Sequence, residues 1–182
     1  MKILGIDPGI GICGFGLINI SSTAKADATL LDYGAVTTPI NTPLPGRLQE
    51  LYESLTELFE ETSPDVISVE KLFFSKNVTT GIAVAEARGI VLLVASQHNI
   101  PIFEYTPNEI KKALTGYGSA DKHQVQEMVK LHLHLEKVPK PDDAADAIAA
   151  AITHSLLAGS NDFSHTANKI DHFVPARHKK NV

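Results

Sequence analysis

Two short apolar runs, each stopping at an acid, constrain this chain more than any other feature. Ile3-Leu4-Gly5-Ile6 ends at Asp7, and Val66-Ile67-Ser68-Val69 ends at Glu70. A short run with so little polar alternation reads as a strand covered on both faces, as in the parallel part of an α/β sheet. Each strand then delivers its terminal carboxylate to the edge of the sheet. Two further acids, Asp143 and Asp146, lie in Pro141-Asp142-Asp143-Ala144-Ala145-Asp146, which reads as the start of a long Ala-rich helix. Helical positions three or four apart share a face. Asp146 can therefore share a pocket with Asp142 or with Asp143, and spacing does not choose between them.

Carboxylates gathered in one pocket raise one another's pKa unless a cation neutralises them. Oxygen-only ligands favour Mg²⁺ or Mn²⁺. The chemistry that follows is metal-assisted hydrolysis, with a phosphodiester as the best-matched substrate. A pair of ions about 3.5–4 Å apart can activate water and stabilise the leaving oxygen of an in-line displacement. Each acid has an ordinary reading when taken alone. Asp7-Pro8-Gly9 is a turn signal, Glu70 could be an exposed strand end, and acids in a first turn suit a helix dipole. Four together, at the ends of elements that the topology brings side by side, favour the metal site.

The rest of the chain fills in an α/β layer built on a mixed sheet. Residues 2–7, 12–20 and 29–37 read as three strands pairing antiparallel, with a polar loop over 21–27. Leu48, Leu51, Tyr52, Leu55, Leu58 and Phe59 repeat with a helical period, so 46–61 is an amphipathic helix. Pro64-Asp65 breaks it before the strand that ends at Glu70. Residues 78–98 form a helix apolar nearly all round, which predicts burial on several sides, in a core or a subunit interface. A short strand over 101–105 and a short helix over 107–114 follow. Ser119 reads as the N-cap of a helix through Leu135. A last helix starts at Pro141, a favoured first-turn residue, and runs to Ala158. Helices are expected on both faces of the parallel part. One domain spans 1–158, and the polar, aperiodic residues 159–182 are expected to fray.

Composition bounds what such a chain does. At 182 residues and 43% hydrophobic it supports one sizeable core. The single cysteine, Cys13, excludes an internal disulfide framework and fits a reducing cytoplasm. The N-terminus reaches an acid and a Pro-Gly turn too soon for a signal peptide. Glu86 and Arg88 interrupt the most apolar stretch, so no membrane span is expected. The net charge of −5 argues at first against a nucleic-acid partner. Its distribution reverses that reading. Residues 1–65 hold three bases against nine acids, whereas 66–140, the segment after the first strand acids, hold nine bases against seven acids.

Gly9-Ile10-Gly11-Ile12-Cys13-Gly14 matches the dinucleotide pattern G-x-G-x-x-G, and Asp32 lies near the distance of a ribose-binding acid. That reading needs a helix to begin at the glycines. The residues that follow look like a strand, in which alternate glycines permit close backbone approach or bulging. An actin-like phosphotransferase shares the strand-Asp-x-Gly opening but would need a second such domain. His132 and His134, two apart on a helix, face different ways and do not make a zinc site.

Ile3-Leu-Gly-Ile-Asp-Pro-Gly9, Val69-Glu-Lys-Leu-Phe-Phe-Ser-Lys-Asn77, Ala85-Glu-Ala-Arg-Gly89, Phe103-Glu-Tyr105, Gly116-Tyr-Gly-Ser-Ala-Asp-Lys122 and Asp143-Ala-Ala-Asp-Ala-Ile-Ala149 together closely resemble the RuvC family of bacterial Holliday junction resolvases. The resemblance runs nearly collinear from residue 1 to about 155. It implies a ribonuclease H-like fold, a mixed five-stranded sheet flanked by helices, and a homodimer. It also implies Mg²⁺-dependent paired nicks at a four-way DNA junction, leaving 5′-phosphate and 3′-hydroxyl ends, and cooperation with the RuvA–RuvB branch-migration complex. By resemblance the metal ligands are Asp7, Glu70, Asp143 and Asp146, with Asp142 a bystander. Phe73 takes the position that stacks on a junction base, and of Phe73 and Phe74 one is expected to be exposed and the other buried. Lys111 and Lys122 match basic residues near the scissile phosphate, and Lys76, Lys71, Arg88 and Lys112 are weaker candidates for DNA contact.

Overall fold

The computed structural model describes residues 1–21, 28–71 and 78–158. In chain order they form β1 (Lys2–Asp7), β2 (Ile12–Ile20), β3 (Ala28–Thr37), α1 (Leu44–Thr62), β4 (Val66–Glu70), α2 (Val78–Gln97), β5 (Ile102–Tyr105), α3 (Pro107–Thr115), α4 (Lys122–His132) and α5 (Asp142–Leu157). The five strands make one sheet in the order β3-β2-β1-β4-β5. β1 pairs antiparallel with β2 and β2 with β3, while β1–β4 and β4–β5 are parallel. This is the expected mixed sheet, with Asp7 and Glu70 at the same edge of adjacent parallel strands. No helix among the described residues is long and apolar enough to cross a membrane.

Alternation along the strands separates two cores. Ile3, Ile18, Ile20, Val66 and Tyr105 pack with α3, α4 and α5 on one face. Leu4, Ile6, Leu17, Ile67, Val69 and Ile102 pack with α1 and α2 on the other. Helices therefore cover both faces of the parallel strands, which explains why β1 and β4 read as continuous apolar runs.

Alternate glycines on β1 and β2 make the groove in which α5 lies. Gly5 is paired with Gly16 across the two strands, and Asp7 with Gly14. A Cβ at Gly5 would stand 1.9 Å from the Ala147 carbonyl oxygen, and one at Gly16 would stand 2.3 Å from Cγ1 of Ile148. The helix backbone thus lies directly on the sheet. The buried Ser68 hydroxyl on β4 adds a hydrogen bond of 2.6 Å to the Ala150 carbonyl. Residues 12–20 form a strand, so no helix starts at the glycine motif and the dinucleotide reading fails on geometry. Asp32 sits opposite Leu17 on the exposed edge strand β3.

Four details differ from the sequence expectation. α5, not α2, is the helix enclosed nearly all round, with every residue from Ala147 to Ser155 buried. α2 buries Ala87, Val91, Val94 and Ala95 and leaves Ile82 and Leu93 about half exposed. Both helices are mostly apolar, and periodicity alone does not rank two such segments. The cap of α4 is Asp121, not Ser119: its carboxylate accepts from the Gln124 N–H at 2.9 Å, and the Gln124 side chain returns a bond to Asp121 N. This reciprocal capping box outcompetes a serine two residues earlier. α4 also ends at His132 rather than Leu135, with His134 in the left-handed region at φ 51°. Pro141 caps α5 from outside its first turn rather than opening it. Residues 159–182 lie outside the described residues.

Candidate active site

Asp7 is the last residue of β1, where the chain leaves the sheet. The turn after it is braced from outside the strand. The Thr38 hydroxyl and the Arg47 guanidinium both donate to the Ile10 carbonyl, the latter at 3.2 Å, and Arg47 Nε also donates to the Thr38 oxygen at 2.9 Å. Neither Thr38 nor Arg47 stood out in the sequence, because no local pattern marks a side chain that holds a distant backbone carbonyl. Glu70 ends β4 beside Tyr105 of β5. Asp143 enters from α5 at the point of closest contact between that helix and β2, against Gly14. Asp146 follows one helical turn later on the same face.

The four acids interact through a poorly solvated space. Asp7 is pushed up from an ordinary 3.8 to about 7, first by burial and then by the charges of Asp146, Glu70 and Asp143. Glu70 is also raised, by burial and by Asp146, against the opposing charges of Lys111 and Lys122. The two acids left open by spacing have different neighbours. Asp143, not Asp142, is among the charges acting on Asp7. Asp142 instead faces Lys140 at 2.5 Å and Lys122 at 3.6 Å, and Lys140 above all holds its carboxyl below the usual range.

A cleft of about 200 Å³ joins two of these acids, Glu70 and Asp146, to basic residues. It is lined by Glu70, Pro107, Ile110, Lys111, Lys122, Val125, Asp146 and Ala149. Lys111 comes from α3 and Lys122 from the first turn of α4, so both lysines singled out in the sequence meet the acids in one place. Lys122 Nζ donates to Asp146 Oδ2 at 2.9 Å. Arg88 is engaged elsewhere, its Nε donating to Glu104 at 3.0 Å. Lys71 and Lys112 are exposed. Phe73, Phe74 and Lys76 lie outside the described residues.

Oxygen-only donors, with Asp7 and Glu70 raised by burial and by neighbouring acids, fit a hard divalent cation. As placed, no three His, Cys, Asp or Glu side chains among the described residues converge tightly enough to hold one ion. The cationic partner of Asp146 in this arrangement is the Lys122 ammonium. His132 is the last residue of α4, and His134 lies beyond it.

Comparison with known proteins gives one consistent answer. A family profile described as "Crossover junction endodeoxyribonuclease RuvC" matches residues 3–154. The chain is 50% identical to the crossover junction endodeoxyribonuclease RuvC of Brevibacillus brevis over 93% of its own length and 100% of that protein. It is 47% identical to the Thermotoga petrophila protein of the same name, over 92% of this chain and 100% of the relative. Among solved structures, Thermus thermophilus RuvC in complex with a Holliday junction substrate superposes with a TM-score of 0.81 at 34% identity, covering 87% of this chain and 94% of that one. The yeast mitochondrial Holliday junction resolvase Ydc2, at 15% identity and a TM-score of 0.59 over 84% of this chain and 78% of that one, shares the fold. A mixed five-stranded sheet, two acids on adjacent strands, two more on the helix across them, and this match over most of the chain lead to one conclusion: the chain belongs to the RuvC family of crossover junction endodeoxyribonucleases.

Proposed function

We propose that this protein resolves four-way DNA junctions by paired, Mg²⁺-dependent nicks, with Asp7, Glu70, Asp143 and Asp146 as the metal-holding carboxylates. The observation that carries this is the coupling of Asp7 to the other three acids, the four coming from three separate elements. Such a cluster is electrostatically unfavourable until divalent cations neutralise it. Mn²⁺, which accepts the same oxygen donors, is expected to substitute for Mg²⁺. Bound there, the ions supply the activated water and stabilise the departing 3′-oxygen of an in-line hydrolysis. The chain's own residues do the rest. β1 and β4 fix the depth of two carboxylates, α5 sets the other two across from them, and Lys111 and Lys122 line the route of the phosphate backbone. Phe73 serves as the stacking contact for a junction base, with Phe74 beside it and Lys76 as a further phosphate contact.

The protein acts as a homodimer in the cytoplasm, working with the RuvA–RuvB complex. The half-exposed Ile82 and Leu93 of α2 supply an apolar face for self-association. A two-fold dimer presents identical pockets to two strands of like polarity, which accounts for paired nicks.

The test is cleavage of a synthetic mobile four-way junction in Mg²⁺, mapped to the nucleotide on all four strands, beside linear duplex of the same sequence. Symmetric nicks on two strands of the junction, absent in EDTA, are expected. Junction binding that never yields nicked product, or equal cutting of linear duplex, would overturn the reading.

A further inference from the structure

Lys122 occupies an unusual place for a cation. It is the first residue of α4, where the helix dipole disfavours positive charge. What compensates is on α5: Lys122 Nζ lies 2.9 Å from Asp146 Oδ2 and 3.6 Å from Asp142 Oδ2. The ammonium thus stands on the cleft side of the acid cluster and lowers the cost of the Asp7 and Glu70 charges. No packing locks it there. Its side chain is 53% exposed, and a lysine stem has four flexible carbons.

A divalent ion ligated by Asp146 competes with that contact for the same carboxylate charge. Mg²⁺ binds carboxylate oxygen at about 2.0–2.1 Å. An ammonium 2.9 Å from the same oxygen would then lie close to the ion and repel it. We infer that Lys122 is a built-in counter-ion for Asp146: it neutralises the cluster before metal binds, and metal loading displaces it into the cleft toward the DNA phosphate. The displaced ammonium stays on the cleft wall it shares with Lys111. One residue thereby couples metal loading to phosphate engagement. The inference rests on the metal site proposed above and goes beyond it, because a phosphate contact alone does not require the ammonium to compete with metal for Asp146.

The experiment is Mn²⁺ titration of the full-length protein without DNA, read by electron paramagnetic resonance of the free ion. It compares the unmodified protein with Lys122→Gln, Lys122→Arg, Lys111→Gln and Asp7→Asn, each also followed by thermal melting. Lys122→Gln is expected to bind Mn²⁺ about two- to fivefold more tightly, the range for loss of a partly exposed competing charge. It should also melt lower than the unmodified protein without metal and show the larger rise on adding Mn²⁺. Lys122→Arg, which keeps the charge, should stay close to the unmodified protein. Unchanged or weaker Mn²⁺ binding by Lys122→Gln overturns the inference, as does an equal gain in Lys111→Gln. If Asp7→Asn binds Mn²⁺ as well as the unmodified protein does, the failure is that of the metal-site reading itself.

Discussion

A Cβ placed on Gly14 would lie 2.1 Å from the carbonyl oxygen of Asp143. The absence of a side chain on β2 is therefore what lets α5 bring an acid up to Asp7, the residue paired with Gly14 across the strands. Gly14→Ala pushes helix and strand apart at the site itself. Overpacking of this kind costs about 1–3 kcal/mol. The expected result is a lower denaturation midpoint together with loss of nicking. Wild-type stability and activity in this variant would show that α5 does not sit against β2 as described.

Asp7→Asn should abolish cleavage while leaving junction binding intact, since it removes a ligand and a repulsive charge together. Its effect on stability has a definite sign. Asp7 titrates near 7 in the folded chain against an ordinary 3.8. The folded state therefore holds the proton more strongly than the unfolded state, and this stabilising contribution is complete below pH 3.8 and is lost as pH rises through 7. In metal-free solution Asp7→Asn should be more stable than the parent at pH 8, by about 2–4 kcal/mol, with no advantage at pH 3.5. Chemical denaturation at the two pH values in EDTA measures it. Equal stability at pH 8 would remove the electrostatic cluster from the account.

Lys111 lines the cleft with Glu70 and Asp146. If it neutralises one phosphate, Lys111→Gln lowers the slope of log affinity against log salt by about 0.9. Affinity measured at a series of salt concentrations checks this. An unaltered slope would take Lys111 off the DNA path.

Leu93 is 47% exposed on a helix whose opposite face is core. Leu93→Glu should leave protomer stability within about 0.5 kcal/mol, as surface changes do, while converting a dimer to a monomer by light scattering. With paired pockets lost, nicks on the two strands should become uncoupled. A persistent dimer would place the self-association face elsewhere.

Much of this protein is legible in one dimension. The apolar runs ending at Asp7 and Glu70 specify two buried strands, because only a strand covered on both faces needs so few polar side chains. The heptad-like spacing of Leu48, Leu51, Leu55 and Phe59 specifies a surface helix. The acid cluster is visible because four carboxylates at element ends are costly without a shared purpose. The family motifs supply the fold and suggest the proposed ligand set.

Other features depended on packing. Whether Asp142 or Asp143 faces Asp7 is a rotation of α5 about its own axis, set by the glycines of β1 and β2 that the helix lies against. Which of two apolar helices is enclosed was decided by contacts with the sheet, since α2 and α5 are equally free of polar rhythm. The contact between Lys122 and Asp146, 24 residues apart, exists only because α4 and α5 meet at the cleft. Local pattern records the period and polarity of each element, and these follow from backbone geometry and burial. The relative rotation and depth of elements far apart in the chain are fixed by close packing, and packing is a property of the assembled core.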